Sequence, residues 1–278
     1  MRNESPRRIV AWTDGTAEAL HAAGWAARHA VARGLPLHVV HQSVAPDLVG
    51  AGQPSAAGVG LTDRDAEAVD VVRLAQQIHR IRAEHHRLSV TVEVARDGLE
   101  RPERTSLGPG DVLVTGPGGY RRLAARAEPE DRAPVPIVVV PERTAAPGAE
   151  RRILLLTGPR LTPAVAAFAF DAAQDLGSAL DVVRIAPQGG TFGDDYWIDP
   201  GRTGYLAESR LQADLSKLRS SFPAVPGVFC TLRTRPWATL RGMVRSAQLI
   251  VLDRPGAEQD PRRLLDLGAC PVAVIPAR

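Results

Sequence analysis

RRIVAWTDGT, Arg7 to Thr16, and RRILLLTGPR, Arg151 to Arg160, are one kind of segment written twice: a basic pair leading into a short apolar run that ends at a turn. The likeness continues in order along the chain. LPLHVVH closing at His41 answers SALDVVR closing at Arg184, DVLVTG from Asp111 to Gly116 answers QLIVLD from Gln248 to Asp253, and VPIVVVP closing at Pro141 answers CPVAVIP closing at Pro276. Repetition on this scale predicts two copies of one supersecondary plan. ERTAAPGAE, Glu142 to Glu150, is a Pro/Gly/Ala connector without hydrophobic period. The expected organisation is therefore a first domain over 1–141, a linker over 142–150 and a second domain over 151–278.

In each half, short β-branched runs alternate with stretches of helical period, the pattern of βαβ units and a parallel sheet. Strands are predicted at Ile9–Trp12, Leu37–His41, Val90–Val94, Val112–Thr115 and Ile137–Val140. Their counterparts are Ile153–Leu156, Leu180–Ile185, Val228–Leu232, Leu249–Leu252 and Val272–Ile275. Runs such as VVV and ILLL suit strands buried between two helical layers. Ala17–Ala32 reads as a helix stopped at Gly34, and Asp63–Arg87 as a second with Val69, Val72, Ala75, Ile78 and Ile81 inward. The third-helix region LERPERTSLGPG is short and broken by Pro102 and Pro109. In the second half Thr162 is expected to cap a helix opened by Pro163 and closed by Gly177. A further helix presents Ala207, Leu211, Leu215, Leu218 and Phe222, and a last one starts at Pro236.

Composition narrows the function. With 278 residues, 44% apolar and only 4% aromatic, the chain is long enough for two cores built from Ala, Val, Leu and Ile. The 34 basic and 31 acidic residues leave +3, too small an excess to predict nucleic acid as a partner. Lys217 is the only lysine and sits in the helical LSKLR, which excludes a P-loop and a protein kinase, both of which need a lysine at phosphate. Cys230 and Cys270 lie far apart in apolar runs and read as inert buried thiols in a reducing compartment. The MRNESPRR start lacks an apolar export region, so a cytoplasmic location without membrane contact is expected.

IVAWTDGT, GWAARHAVARGLPLHVVH and the closing pair VPIVVVP and CPVAVIP together resemble the universal stress protein family in tandem form. The resemblance implies two tandem five-stranded parallel-sheet α/β sandwiches of the adenine nucleotide alpha hydrolase-like kind, joined as an intramolecular pseudo-dimer through their final strands, with a homodimer as a further possibility. It also implies a non-enzymatic stress-response or regulatory role, with no catalytic residues and no metal site of the chain's own. The family's nucleotide site combines an Asp after the first strand with Gly-x-x-Gly, nine residues, then Gly-Ser/Thr after the fourth. Here Asp14, Gly116 and Gly119 match, but Pro129 and Glu130 stand at the last pair. A carboxylate ~4 Å from a phosphate oxygen costs about 4 kcal/mol per charge pair at an effective dielectric near 20.

By this resemblance ATP, with Mg, is expected to bind at most weakly and in the first half only. Asp14 would face ribose or metal, Thr13 and Arg121 would flank it, Gln42 would offer backbone to adenine, and Gly116, Gly118 and Gly119 would cradle phosphates. Arg121, Arg122 or Arg126 could offset the acid. In the second half Gly158 and Pro159 replace Asp14 and Gly15, and Asp253 opens the loop, so no nucleotide is expected there. The alternatives are a nucleotide-independent protein-interaction scaffold and, less favoured, a nucleotide-hydrolysing enzyme.

The remaining candidates are weaker. All 7 histidines precede Arg87, and His21 and His29 read as surface positions on the first helix. His85 and His86 are adjacent at a helix end, where they cannot face one site together. The loop Gly189–Tyr205 gathers Asp194, Asp195, Tyr196, Trp197 and Asp199 and reads as a solvated or partner-contacting segment, while Trp237 is expected to pack at a helix start.

Overall fold

A computed structural model describes residues 8–42, 63–95, 107–108, 110–126, 135–144, 152–157, 161–185, 200–232, 236–253, 264–265 and 270–276. The chain divides into two compact units, one spanning Glu4–Glu142, the other running from Arg143 to Arg278.

The first unit holds β1 (Ile9–Thr13), α1 (Ala17–Arg33), β2 (Leu37–Gln42), α2 (Asp63–Glu84), β3 (Val90–Ala95), β4 (Val112–Thr115), α3 (Pro117–Arg126) and β5 (Ile137–Val139). The strands lie in the order β3-β2-β1-β4-β5, and each neighbouring pair is parallel. β1 is wholly buried, and α1 packs on it through Ala19, Ala22, Ala23, Ala26, Ala27 and Ala30. Alanines let the helix approach the sheet closely, which explains how so few aromatics suffice. Thr16 caps α1 by accepting from the Ala19 N–H, and Gly34 ends it at φ 63°, a left-handed value that only glycine adopts without strain.

One expectation fails here. The α2 stripe is not Val69 to Ile81: Leu74, Ile78 and Ile81 are buried, whereas Val69 and Val72 are 40% and 54% exposed. Steps of three residues slip about 60° against a 3.6-residue helix, so a stripe begun at Val69 faces away by Ile78. The runs VVV and ILLL are buried as expected, whereas the edge strand β3 leaves Val92 and Val94 exposed. The LERPERTSLGPG region lies mostly outside the described residues.

The second unit holds β6 (Arg152–Thr157), α4 (Pro163–Asp175), β7 (Ala179–Ile185), α5 (Pro200–Ser221), β8 (Gly227–Leu232), α6 (Pro236–Ser246), β9 (Ala247–Asp253) and β10 (Val272–Ile275). Its order is β10-β9-β6-β7-β8, again with parallel neighbours. Thr162 occupies the cap of α4 with extended backbone, but its side chain makes no capping hydrogen bond, contrary to expectation; Pro163 removes an N–H from the first turn. Leu211 and Leu215 of α5 are buried as the period requires, and Phe222 stacks on Phe170 of α4 at 5.2 Å.

Candidate functional site

In both units the first strand, β1 or β6, lies between the second and the fourth strand of the unit, so consecutive connections leave it in opposite directions. In open parallel sheets such a switch point, at the carboxyl ends of the strands, is where ligands settle. In the first unit it lies between the ends of β1 and β4.

There β1 delivers Thr13 and Asp14, both buried. The turn tightens at Gly15, φ 81°, whose N–H donates to Thr13 Oγ1 at 3.2 Å, and a Cβ on Gly15 would meet Asp70 at 2.8 Å. Asp14 Oδ1 accepts from the Thr16 N–H at 3.1 Å and from the Thr16 hydroxyl at 2.6 Å, while Oδ2 pairs with Arg122. Burial pushes the Asp14 carboxyl up, but the Thr16 donors and the Arg122 guanidinium outweigh it and hold its pKa below the usual value. Arg122 also lies over the Trp12 ring, 5.3 Å from its centroid.

β4 leads through Gly116 into α3, which opens at Pro117. The Gly118 N–H belongs to the first turn of α3, where donors have no partner within the helix and an anion is favoured. It donates to Glu18 Oε1 at 2.8 Å. Glu18 stands in the first turn of α1, so its carboxylate serves the positive ends of two helices at once. A Cβ on Gly118 would overlap Glu18 Oε1, and one on Gly116 would press on the Glu18 backbone at 3.3 Å. A Cβ on Gly119 would overlap Thr115 Oγ1 and the Trp12 ring. The three glycines thus have a packing reason that involves no ligand.

Of the residues expected at the site, the fold brings Thr13, Asp14, Gly116, Gly118 and Gly119 together around the ends of β1 and β4. Gln42 sits at the carboxyl end of β2, in register with Ala95, and Arg121 is exposed on α3. Pro129, Glu130, Gly158, Pro159 and the Gly189–Asp199 loop lie outside the described residues, as do the side chains of Arg126, Trp237 and Asp253. Glu18 is the residue that sequence reading misses. Its only local signal is an acid in a helix first turn, whereas its partner lies 100 residues away.

His29 overturns its surface assignment. It is 2% exposed, stacked on Trp25 at 4.7 Å, and its Nε2 has no hydrogen-bond partner among the described residues. Burial, helped by Arg33, lowers its pKa to about 3. Burial also raises the Cys270 thiol to about 12, and burial together with Asp181 raises that of Cys230, which is only half-buried. Among the described residues no group of three or more His, Cys, Asp or Glu could hold a metal ion, and no helix is long and apolar enough to cross a membrane.

Residues 6–125 match the model of the universal stress protein family. Among solved structures, the chain is similar to a functionally unknown protein from Pseudomonas aeruginosa PAO1, with 13% identity, 98% of this chain and 93% of that chain covered, and a TM-score of 0.55. It is also similar to a universal stress protein from Archaeoglobus fulgidus DSM 4304, with 12% identity, 97% and 96% coverage, and a TM-score of 0.53. No curated protein matches the chain. The family model thus matches the first repeat, and the solved structures share the fold over nearly the whole chain.

Proposed function

We propose that the chain is a tandem universal stress protein, non-enzymatic and regulatory, whose first unit keeps the frame of an adenine-nucleotide site but fills its anion cradle with its own Glu18. The observation that carries this reading is the 2.8 Å bond from the Gly118 N–H to Glu18. A phosphate seated there must displace that carboxylate or lie beside it, and two unit charges ~4 Å apart repel by about 4 kcal/mol at an effective dielectric near 20. That is close to a thousandfold in affinity. ATP with Mg is therefore bound at most weakly. The second unit acts as a scaffold, since Asp253 ends β9 where the first repeat has Gly116.

The non-enzymatic part is supported by the state of the charged groups at the switch point: Asp14 is engaged by Thr16 and Arg122, and Glu18 by Gly118, so neither carboxylate is open to act as a base. Calorimetry with ATP and Mg²⁺ at high micromolar protein tests the proposal. Little or no heat is expected, and a low-micromolar Kd would retire it.

A further inference from the structure

The second unit carries a cavity at the opposite end of its sheet from the switch point, near the amino ends of β7 and β8. Its walls are the buried Phe170 of α4, Leu180 and Val182 of β7, and Leu215 of α5. β8 begins with Gly227, which meets the Leu180 carbonyl so closely that a Cβ would overlap it, and which therefore lines the cavity with backbone alone. Phe170, in the wall, stacks on Phe222 at 5.2 Å. About 280 Å³ remains. Water there would find few polar partners, whereas an apolar body would leave water for an apolar surface.

The mouth is of different chemistry. Gln212, Ser216 and Arg219 recur at i, i+4 and i+7 along α5, one stripe at the lip. Among the described residues neither Gln212 nor Arg219 has a side-chain partner. The Ser216 hydroxyl donates to the Ala213 carbonyl at 2.8 Å, so its proton is already engaged within the helix. Asp214 and Lys217 fall on other sides of the helix. The lip thus offers one unpaired guanidinium and one amide above an apolar floor, a pairing that suits a carboxylate and repels an amine.

We propose that this cavity binds a small amphipathic carboxylate, with its hydrocarbon body on Phe170, Leu180 and Val182 and its carboxylate at Arg219. The inference stands apart from the nucleotide reading, because its residues all belong to the second unit and that reading rests on the first. Calorimetric titration of the full chain with octanoate, octan-1-ol and octylamine tests it, alongside the variants Arg219→Gln and Ser216→Trp. Both substitutions are at exposed positions, and a thermal melt checks that each variant folds. Octanoate is expected to bind saturably and at least tenfold more tightly than octylamine. Arg219→Gln should weaken octanoate tenfold or more while sparing octan-1-ol, and Ser216→Trp, which caps the mouth, should weaken both. Absence of octanoate binding, equal binding of all three probes, or octanoate binding unchanged in both variants would overturn the proposal.

Discussion

The switch points of the two units differ in what can be undone. In the first, Asp14, Thr16 and the glycines of the β4–α3 turn stand in place, and a single flexible side chain, Glu18, occupies the donor of α3. In the second, the first turn of α4 contains no acid at all, and β9 ends at Asp253 where the first repeat has Gly116. The lesson is that a vacant-looking glycine turn is not vacant when its helix N-terminus is already neutralised from within the chain. A block by one side chain is reversible by one substitution; the replacement of Asp14 and Gly15 by Gly158 and Pro159 in the second repeat is not.

That contrast sets the largest expected effect. Glu18→Ala should tighten ATP with Mg by up to about a thousandfold, and Glu18→Gln, which keeps an oxygen for the Gly118 N–H but drops the charge, should fall between the two. Asp253→Asn should leave ATP affinity unchanged. Calorimetry on the three variants reads this directly, and an inert Glu18→Ala would break the comparison.

A second difference lies in the helices that cover the sheets. The buried face of α1 includes His29, whereas that of α4 is wholly apolar. The His29 pKa falls from 6.5 to about 3 on folding, so the unfolded chain binds the extra proton between those values. The stability held by neutral His29 is complete above pH 6.5 and is lost as the pH falls towards 3, a loss on the order of a few kcal/mol. Asp14 acts in a lower window: its depressed pKa contributes stability above 3.8 that disappears on further acidification. Urea unfolding across this range should show the decline beginning near pH 6.5, and His29→Phe, which can keep the stack on Trp25, should flatten the upper part of it.

The smallest effects compare two helical glycines. Gly119→Ala in α3 should destabilise by about 1–3 kcal/mol through overlap with Trp12 and Thr115. Gly242→Ala in α6, whose Cβ would meet nothing within 4 Å, should stabilise by up to about 1 kcal/mol. Thermal or urea melts that moved both the same way would remove the packing explanation for the first unit's glycines.

Local signals carried much of the fold. The β-branched runs located every described strand to within about two residues, because burial between neighbours selects those side chains over a short window. Gly34 and Pro163 were legible as helix punctuation because their constraint is their own backbone. The α2 face was misread because an i+3 stripe in a helix rich in exposed valines does not say which side meets the sheet.

The residues of one repeat were enough to specify a parallel α/β plan and a first helix ended at Gly34, since these follow from period and turn chemistry, whereas Asp14 and Gly116–Gly119 were singled out only by their resemblance to the universal stress protein motif. Whether His29 is buried, whether Glu18 reaches Gly118, and whether Gly227 meets the Leu180 carbonyl depended on which strands became neighbours. Hydrogen bonds and steric exclusion act over a few ångströms in space regardless of distance along the chain, so only the placing of β1 beside β4, and of β7 beside β8, could settle them.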